Sequence, residues 1–249
     1  MKTALITGAS SGIGEAIARI LAENNYNLII CGRREERLIS LQSELNAKVK
    51  VDYLVFDVRD RNKVKDVLGP VAAERKIDVL INNAGNAHGL APIQDGDIDD
   101  WDAMIDGNVK GLLYVSKLVI PQMVERNDGH IINIGSTAGK EVYPNGNVYC
   151  ASKHAVDAIN NGMRIDLNPY SIKVSQISPG LVETEFSNVR FKGDTERATS
   201  VYATLEALQA KDIAEVALFV LSRPDHVNIS DLIVMPKAQA SSTVINRNN

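Results

Sequence analysis

Cysteine is scarce in this chain, and so are the residue clusters that hold metals. Its 249 residues include two cysteines, Cys31 and Cys150, which lie far apart and form no CxxC or Cys/His spacing. The sequence therefore indicates neither a disulfide framework nor a zinc site, and we expect no bound metal. A chain of this length buries most of the surface that its unfolded form exposes, so it needs no such staple to fold.

Long hydrophobic runs and an excess of charge of one sign are also missing. No stretch approaches the roughly 20 apolar residues that span a bilayer, and the short apolar run at the N-terminus is unlike a signal peptide. The 27 basic and 31 acidic side chains give a net charge of −4 without any block of like charge, unlike the basic surfaces that bind nucleic acids. These absences predict a cytoplasmic protein whose partner is a small molecule, not a nucleic acid or a membrane.

What the sequence does contain is a regular alternation of predicted strands and helices. Short runs rich in β-branched residues, typical of buried strands, are separated by longer stretches in which apolar residues have helical spacing. Such alternation indicates a parallel sheet with helices on both faces. We predict an α/β fold, a doubly wound sheet in a single domain over residues 1–249, with these seven strands: Thr3–Thr7, Leu28–Cys31, Val51–Phe56, Val79–Ile81, Ile131–Ile134, Lys173–Ile177 and Leu232–Met235.

Two connections are longer than this alternation requires. Asn86–Asp100 and Glu183–Arg197 are polar and contain glycine, and long connections of this kind lie at the functional edge of open sheets. We expect residues 183–197 to form a lid loop over a substrate.

A glycine-rich turn joins the first predicted strand to the first helix. One glycine allows the tight turn, the second lets the backbone approach a pyrophosphate, and the third lets the helix pack against its strand. The helix N-terminus adds unpaired N–H groups and a positive dipole end. An ordinary glycine-rich turn is the alternative, but the strand–turn–helix context favours a dinucleotide site. Its candidate cofactor-binding residues are Gly8, Ser10, Ser11, Gly12, Ile13 and Gly14.

The end of the second predicted strand indicates which dinucleotide binds. An NAD site places an acid there for the ribose 2′-hydroxyl, but this chain has Arg33 and Arg34. Arginines favour the 2′-phosphate of NADP, because each charge-assisted bond contributes about 1.5–3 kcal/mol. The alternative is that both arginines are the solvated first turn of the next helix. We predict that one of them binds the phosphate while the other only screens it, and that replacing Arg33 by Ala weakens NADP binding far more than NAD binding.

The third and fourth predicted strands also end in candidate cofactor-binding residues. Asp57 and Val58 follow the third strand, where a carboxylate and a backbone group can meet the adenine edge, although this signal is weak alone. Asn83, Ala84 and Gly85 follow the fourth strand. Small residues there let the ribose and pyrophosphate lie against the backbone.

Four residues are candidates for catalysis. Tyr149 and Lys153 are four positions apart in a helical stretch, so both side chains point to one ligand, and a nearby ammonium favours the phenolate. Ser136 follows the fifth predicted strand, where its hydroxyl can hold a substrate oxygen. Asn108 is expected in the middle of a helix, where asparagine is unfavourable, so a functional reason is plausible.

The chain contains, in this order, the motifs TGxxxGxG, DV, NNAG, N, S and YxxxK, followed by Pro179-Gly180 and Thr184. This series resembles the short-chain dehydrogenase/reductase family over nearly the whole chain. The resemblance implies a Rossmann-type fold in which Tyr149 is the acid/base, Lys153 lowers its pKa and holds the nicotinamide ribose, and Ser136 polarises the substrate. It also implies that Asn108 supports a proton relay through water and that Thr184 forms a hydrogen bond with the carboxamide of the nicotinamide. The cofactor site then includes Tyr149, Lys153, Pro179, Gly180, Val182 and Thr184.

Longer strings are similar to one subgroup of that family, the NADP-dependent 3-hydroxy acid dehydrogenases. They are Cys31–Arg34, His130–Gly139, Glu185–Asp194 and His226–Ile229. This resemblance implies oxidation of the β-hydroxyl of serine, L-allo-threonine or 3-hydroxypropionate, reduction of malonic semialdehyde, and a homotetramer.

A hydroxy acid needs a cation for its carboxylate. Arg190 and Lys192 lie in the predicted lid, and we favour Arg190 because its planar fork suits a carboxylate. A solvated lid with incidental charges is an equal alternative. Two other functions remain open: a carbonyl or 3-oxoacyl reductase acting on neutral or carrier-bound ketones, and a non-catalytic NADPH-binding regulator.

Overall fold

Seven parallel strands form the centre of the structure, a computed structural model that describes residues 1–247. Their order in the sheet is β3-β2-β1-β4-β5-β6-β9, and two short strands, β7 and β8, pair with each other separately. The strands are β1 Thr3–Thr7, β2 Asn27–Gly32, β3 Val51–Val55, β4 Val79–Asn82, β5 Gly129–Ile134, β6 Ile172–Pro179, β7 Val182–Glu183, β8 Leu208–Gln209 and β9 Asp231–Val234.

Helices cover both faces of this sheet. Helices α1, α2 and α9 pack on one face, while α3, α5 and the end of α6 pack on the other. Within residues 1–247, none of these helices combines the length and hydrophobicity that crossing a membrane requires. The helices are α1 Gly12–Glu23, α2 Glu35–Leu45, α3 Arg61–Glu74, α4 Ile98–Ile105, α5 Gly111–Arg126, α6 Asn147–Leu167, α7 Phe186–Arg190, α8 Thr195–Ser200 and α9 Ala210–Leu221.

The predicted doubly wound seven-stranded sheet is confirmed, and the ends of its strands differ from the prediction by at most two residues. Strand side chains alternate between the two faces. Ile6 and Ile30 face the helices on one side, and Leu5 and Ile29 face those on the other. Because both faces are buried, the strands read as continuous apolar runs.

The predicted lid differs from its expected form. Residues 183–197 are not a bare loop, because they contain α7 and the first turn of α8. The carboxylate of Asp194 accepts a hydrogen bond from the Arg197 N–H at 3.0 Å and so caps α8. In the other long connection, Asp97 caps α4 by accepting from the Asp99 N–H at 2.9 Å. These capping residues are polar, which made both segments resemble loops in the sequence.

The sheet topology determines where a ligand binds. Strand order reverses between β1 and β4: β2 and β3 extend the sheet from β1 towards one edge, and β5 and β6 extend it from β4 towards the other. In open α/β sheets the binding crevice lies outside the carboxyl ends of the strands at this switch point. The ends of β1, β4, β5 and β6 meet there.

Candidate active site

A cavity of about 490 Å³ lies at this edge of the sheet. Most of the residues predicted from the sequence line it, whereas Gly14, Asn108 and the alternative carboxylate candidate Lys192 do not. The predicted lining residues are Gly8, Ser10, Ser11, Gly12, Ile13, Arg33, Arg34, Asp57, Val58, Asn83, Ala84, Gly85, Ser136, Tyr149, Lys153, Pro179, Gly180, Val182, Thr184 and Arg190. The structure therefore brings the candidate cofactor and catalytic residues into one continuous site.

The glycine turn is held against the end of β4. Gly8 and Gly12 have φ values of +68° and +55°, which side chains disfavour. The side-chain amide of Asn83 donates to the Thr7 carbonyl at 2.9 Å and to the Gly8 carbonyl at 3.2 Å. Gly14 packs against this same corner, where a Cβ would lie 2.5 Å from the Gly8 carbonyl oxygen.

Thr7 supports the turn in a way that the sequence analysis missed. Its hydroxyl oxygen accepts from the backbone N–H groups of Asn83 at 3.1 Å and Ala84 at 3.0 Å. These bonds fix the backbone after β4 next to the glycine turn. The threonine before the first glycine of the motif was the available signal.

The two candidate arginines lie in different environments. Arg34 reaches the glycine turn, where its Nη2 donates to the Ser11 hydroxyl at 2.5 Å and to the Ser10 carbonyl at 3.3 Å. Arg33 is more exposed and lies 3.7 Å from the Asp57 carboxylate. Arg34 thus joins the glycine turn to the end of β2, so we expect Arg34, in place of the predicted Arg33, to be the principal ligand of a 2′-phosphate.

Replacing Arg34 by Ala should weaken NADP+ binding by about tenfold, because one charge-assisted bond to the phosphate is lost. NAD+ lacks this phosphate, so its dissociation constant should change much less. Fluorescence titrations of the R34A and R33A variants with NADP+ and with NAD+ measure both dissociation constants. A larger loss of NADP+ affinity in R33A would reverse the assignment.

The residues after β3 and β4 have additional contacts. Arg59 donates to both Asp57 carboxylate oxygens at 3.0–3.1 Å. Burial opposes ionisation of Asp57, but the bonds from Arg59 outweigh it and lower its pKa. Val58 packs under the start of α5 at Gly111, and Gly85 leaves room for Asn108. Their contacts with adenine and ribose stay predictions.

Tyr149, Lys153 and Ser136 converge on the catalytic half of the cavity. Tyr149 and Lys153 lie one turn apart on α6 and are 8% and 7% exposed. The Lys153 ammonium donates to the Ile134 carbonyl at the end of β5 at 3.0 Å. The Ser136 hydroxyl accepts from the Ala138 N–H at 3.1 Å. Rigid elements thus position all three side chains.

Burial determines the ionisation of these groups. It lowers the pKa of Lys153 to about 8. It raises the pKa of Tyr149 well above its usual value, although the Ser136 hydroxyl and the Arg190 guanidinium act in the opposite direction. Tyr149 is therefore protonated at neutral pH in this structure and equipped to donate a proton.

Asn108 lies in the middle of a helical segment, as predicted, but in a π-helical turn over Asp106–Lys110 that joins α4 directly to α5. Its Oδ1 accepts from the Asn86 N–H at 2.7 Å, and its Nδ2 donates to the Asn86 carbonyl at 2.8 Å and to the Ser152 hydroxyl at 2.9 Å. The wider π-turn lets the Asn108 side chain form hydrogen bonds with both Asn86, after β4, and Ser152, on α6. Asn108 thereby joins the connection after β4 to the catalytic helix α6.

The predicted lid reaches over both halves of the cavity. Thr184 packs on Gly12, and a Cβ at position 12 would lie 3.4 Å from the threonine side chain. At the other end of α7, Arg190 donates to the Tyr143 hydroxyl at 2.9 Å and to the Gly89 carbonyl at 3.2 Å. Its guanidinium carbon lies 5.5 Å from the Tyr149 ring centroid. Tyr143 was not predicted as a site residue.

Lys192, the other candidate for a substrate carboxylate, is already paired with two carboxylates. Its ammonium pairs with Asp100 at 3.0 Å and with Asp97 at 3.3 Å, and it does not line the cavity. Within residues 1–247, no three His, Cys, Asp or Glu side chains come together as a metal site.

Known proteins resemble the chain along its whole length. The family model described as short chain dehydrogenase matches residues 2–195. The NADP-dependent 3-hydroxy acid dehydrogenase YdfG of Salmonella typhi is 48% identical over 238 residues, covering 95% of each chain. Sulfoacetaldehyde reductase 2 of Chromohalobacter salexigens is 44% identical over 240 residues, covering 96% of this chain and 95% of the relative.

Among solved structures, the closed form of serine dehydrogenase complexed with NADP+ superposes with a TM-score of 0.90. It is 42% identical, and the match covers 99% of this chain and 100% of that one. The chain therefore belongs to the short-chain dehydrogenase family.

Proposed function

We propose that this protein is an NADP-dependent dehydrogenase acting on the hydroxyl-bearing carbon of small 3-hydroxy acids such as serine, L-allo-threonine and 3-hydroxypropionate. The reverse reaction reduces an aldehyde acid of the malonic semialdehyde type. One observation carries the proposal: the half-buried Arg190 guanidinium lies beside Tyr149 in a single cavity. An acid/base and a fixed cation at this spacing suit a substrate with both a hydroxyl and a carboxylate.

The residues at the cofactor end of the cavity fit NADP. Gly12 and the start of α1 offer backbone to a pyrophosphate, and Arg34 brings a planar cation to the end of β2 for the 2′-phosphate. Lys153 and Thr184 line the same cavity and would hold the nicotinamide ribose and carboxamide. When bound, NADP supplies the redox chemistry, which is hydride exchange at its nicotinamide ring.

The chain itself moves the proton and holds the substrate. Tyr149 donates its phenolic proton to the substrate oxygen in reduction and takes it back in oxidation. Ser136 donates a hydrogen bond to the same oxygen. The Lys153 ammonium stabilises the phenolate that remains, and Asn108 positions α6 through Ser152.

Arg190 is suited to bind the carboxylate because its hydrogen bonds are incomplete. Nε and Nη1 are used by Gly89 and Tyr143, but Nη2 is buried without a hydrogen-bond partner among residues 1–247. A buried charged donor without an acceptor is costly, and a substrate carboxylate removes that cost. The two relatives named above act on a 3-hydroxy acid and on sulfoacetaldehyde, both of which are anions.

The substrate class is tested by reduced-nicotinamide absorbance with NADP+ and NAD+ in parallel, across L-serine, L-allo-threonine, 3-hydroxypropionate and 2-propanol. Replacing Arg190 by Ala should raise KM for the acids by about tenfold, since one charge-assisted interaction is lost. Turnover of 2-propanol should change far less. The acid-to-alcohol ratio of kcat/KM is therefore the readout.

Lys192→Ala provides the matched control, because it removes a cation two positions away that is paired with aspartates. Its charge is already paired with two carboxylates, so this variant should keep the acid-to-alcohol ratio of kcat/KM. Turnover of neutral alcohols or ketones alone would favour the carbonyl or 3-oxoacyl reductase. Cofactor binding without turnover of any substrate would favour the non-catalytic regulator.

We also propose a homotetramer. The helices α5 and α6 expose apolar side chains at Leu113 and Ile165, which are 41% and 72% exposed, and such residues suit contacts between subunits. Light scattering of the purified protein tests this. The cytoplasmic location stays a prediction.

A further inference from the structure

Glu185 lies at the start of the predicted lid and contacts two arginines of the cofactor end. Its carboxylate pairs with Arg34 at 2.8 Å and with Arg37 at 2.8 Å. A second Arg37 bond to the same carboxylate measures 3.0 Å. These bonds lower the pKa of Glu185, so it is ionised at neutral pH. Neither Glu185 nor Arg37 was predicted as a site residue.

Arg34 divides its donors between two partners. Nε and Nη2 face the glycine turn at Ser10 and Ser11, while Nη1 faces Glu185. Glu185 also lines the cavity beside Arg33 and Arg34. A negative carboxylate therefore lies where the proposed function places the 2′-phosphate. Two anions at one guanidinium repel each other in this setting.

We propose that Glu185 determines cofactor affinity by competing with the 2′-phosphate of NADP for Arg34. This inference rests on the proposed NADP function. When the phosphate binds, Arg34 exchanges the carboxylate for it, and Arg37 retains Glu185. When the cofactor dissociates, the Glu185–Arg34 ion pair forms again. The residue thus weakens NADP specifically and favours its release after turnover.

Glu185→Gln removes the charge and keeps the shape of the side chain. We expect NADP+ and adenosine 2′,5′-bisphosphate to bind about two- to fivefold more tightly to this variant, which is the range of the one partly exposed ion pair, with Arg34, that the phosphate replaces. NAD+ and 5′-AMP, which lack the 2′-phosphate, should keep their affinities. Calorimetric titration of the four ligands measures this without any turnover.

Glu36→Gln is the matched control, since it removes one negative charge from the exposed first turn of α2. It should change NADP+ affinity less than Glu185→Gln does. The gain in Glu185→Gln should also shrink at about 1 M salt, where charges are screened beyond roughly 3 Å.

Two results would overturn the competition. One is weaker NADP+ binding in Glu185→Gln, which would make Glu185 a clamp on the cofactor. The other is an equal shift for all four ligands. Failure of the proposed cofactor is recognised separately, because the unmodified protein would then bind NAD+ as tightly as NADP+.

Discussion

Replacing Tyr149 by Phe should lower kcat for 3-hydroxy acid oxidation by about 10²–10⁴, the usual contribution of a positioned acid/base. The ring remains, including its contact with Phe186 at a centroid distance of 5.8 Å, so the fold and NADP+ binding should survive. Only the hydroxyl that exchanges the proton is lost. Steady-state kinetics and a parallel cofactor titration measure the two effects.

Tyr143→Phe is the matched control for this prediction. It removes a phenolic hydroxyl from the same cavity, but that hydroxyl bonds Arg190. We therefore expect Tyr143→Phe to raise KM for acids and to leave most of kcat. If Tyr149→Phe keeps kcat within tenfold of the unmodified protein, Tyr149 is not the acid/base.

Replacing Gly14 by Ala should destabilise the protein by about 3 kcal/mol, at the upper end of the usual cost of overpacking. The new Cβ would lie 2.5 Å from the Gly8 carbonyl oxygen and would also collide with Nδ2 of Asn83. The backbone contact is the decisive one, because no side-chain rotation relieves it. Denaturant unfolding measures the loss, and NADP+ affinity should fall with it as the glycine turn is displaced.

Gly162→Ala separates this collision from the general effect of a helical glycine. Gly162 lies in α6, and a Cβ there meets nothing within 4 Å. Alanine is the better helix former by about 1 kcal/mol, so this variant should be stabilised. A Gly14→Ala protein as stable as the unmodified one would show that the turn can move away from α1.

Local patterns predicted the fold and most of the site because each carries its own physical signal. The apolar runs around Leu5 and Ile29 are long enough to identify strands buried on both faces. Parallel strands then bring their carboxyl ends to one edge, which places Gly8, Ser136 and Tyr149 together. Little information from distant parts of the chain is needed for these conclusions.

The features that were missed depend on contacts between distant positions. Glu185 is 151 residues from Arg34 and 148 from Arg37, and a single acid in a polar segment gives no sign of its partners. The π-turn at Asn108 similarly depends on Asn86 and Ser152. The preference for Arg190 over Lys192 came from the shape of the guanidinium, whereas the aspartates that pair with Lys192 became visible only in the structure.

The central position of β1 affects how the chain is completed during synthesis. Its five residues are all buried, and it pairs with β2 on one side and β4 on the other. The Thr3 N–H also donates to the Asp78 carboxylate, 75 positions later, at 2.8 Å. A nascent chain that ends before β4 thus exposes one edge of an apolar strand, and such edges recruit other chains. Until residues 79–82 have been synthesised, pairing with another chain along this edge therefore competes with correct folding.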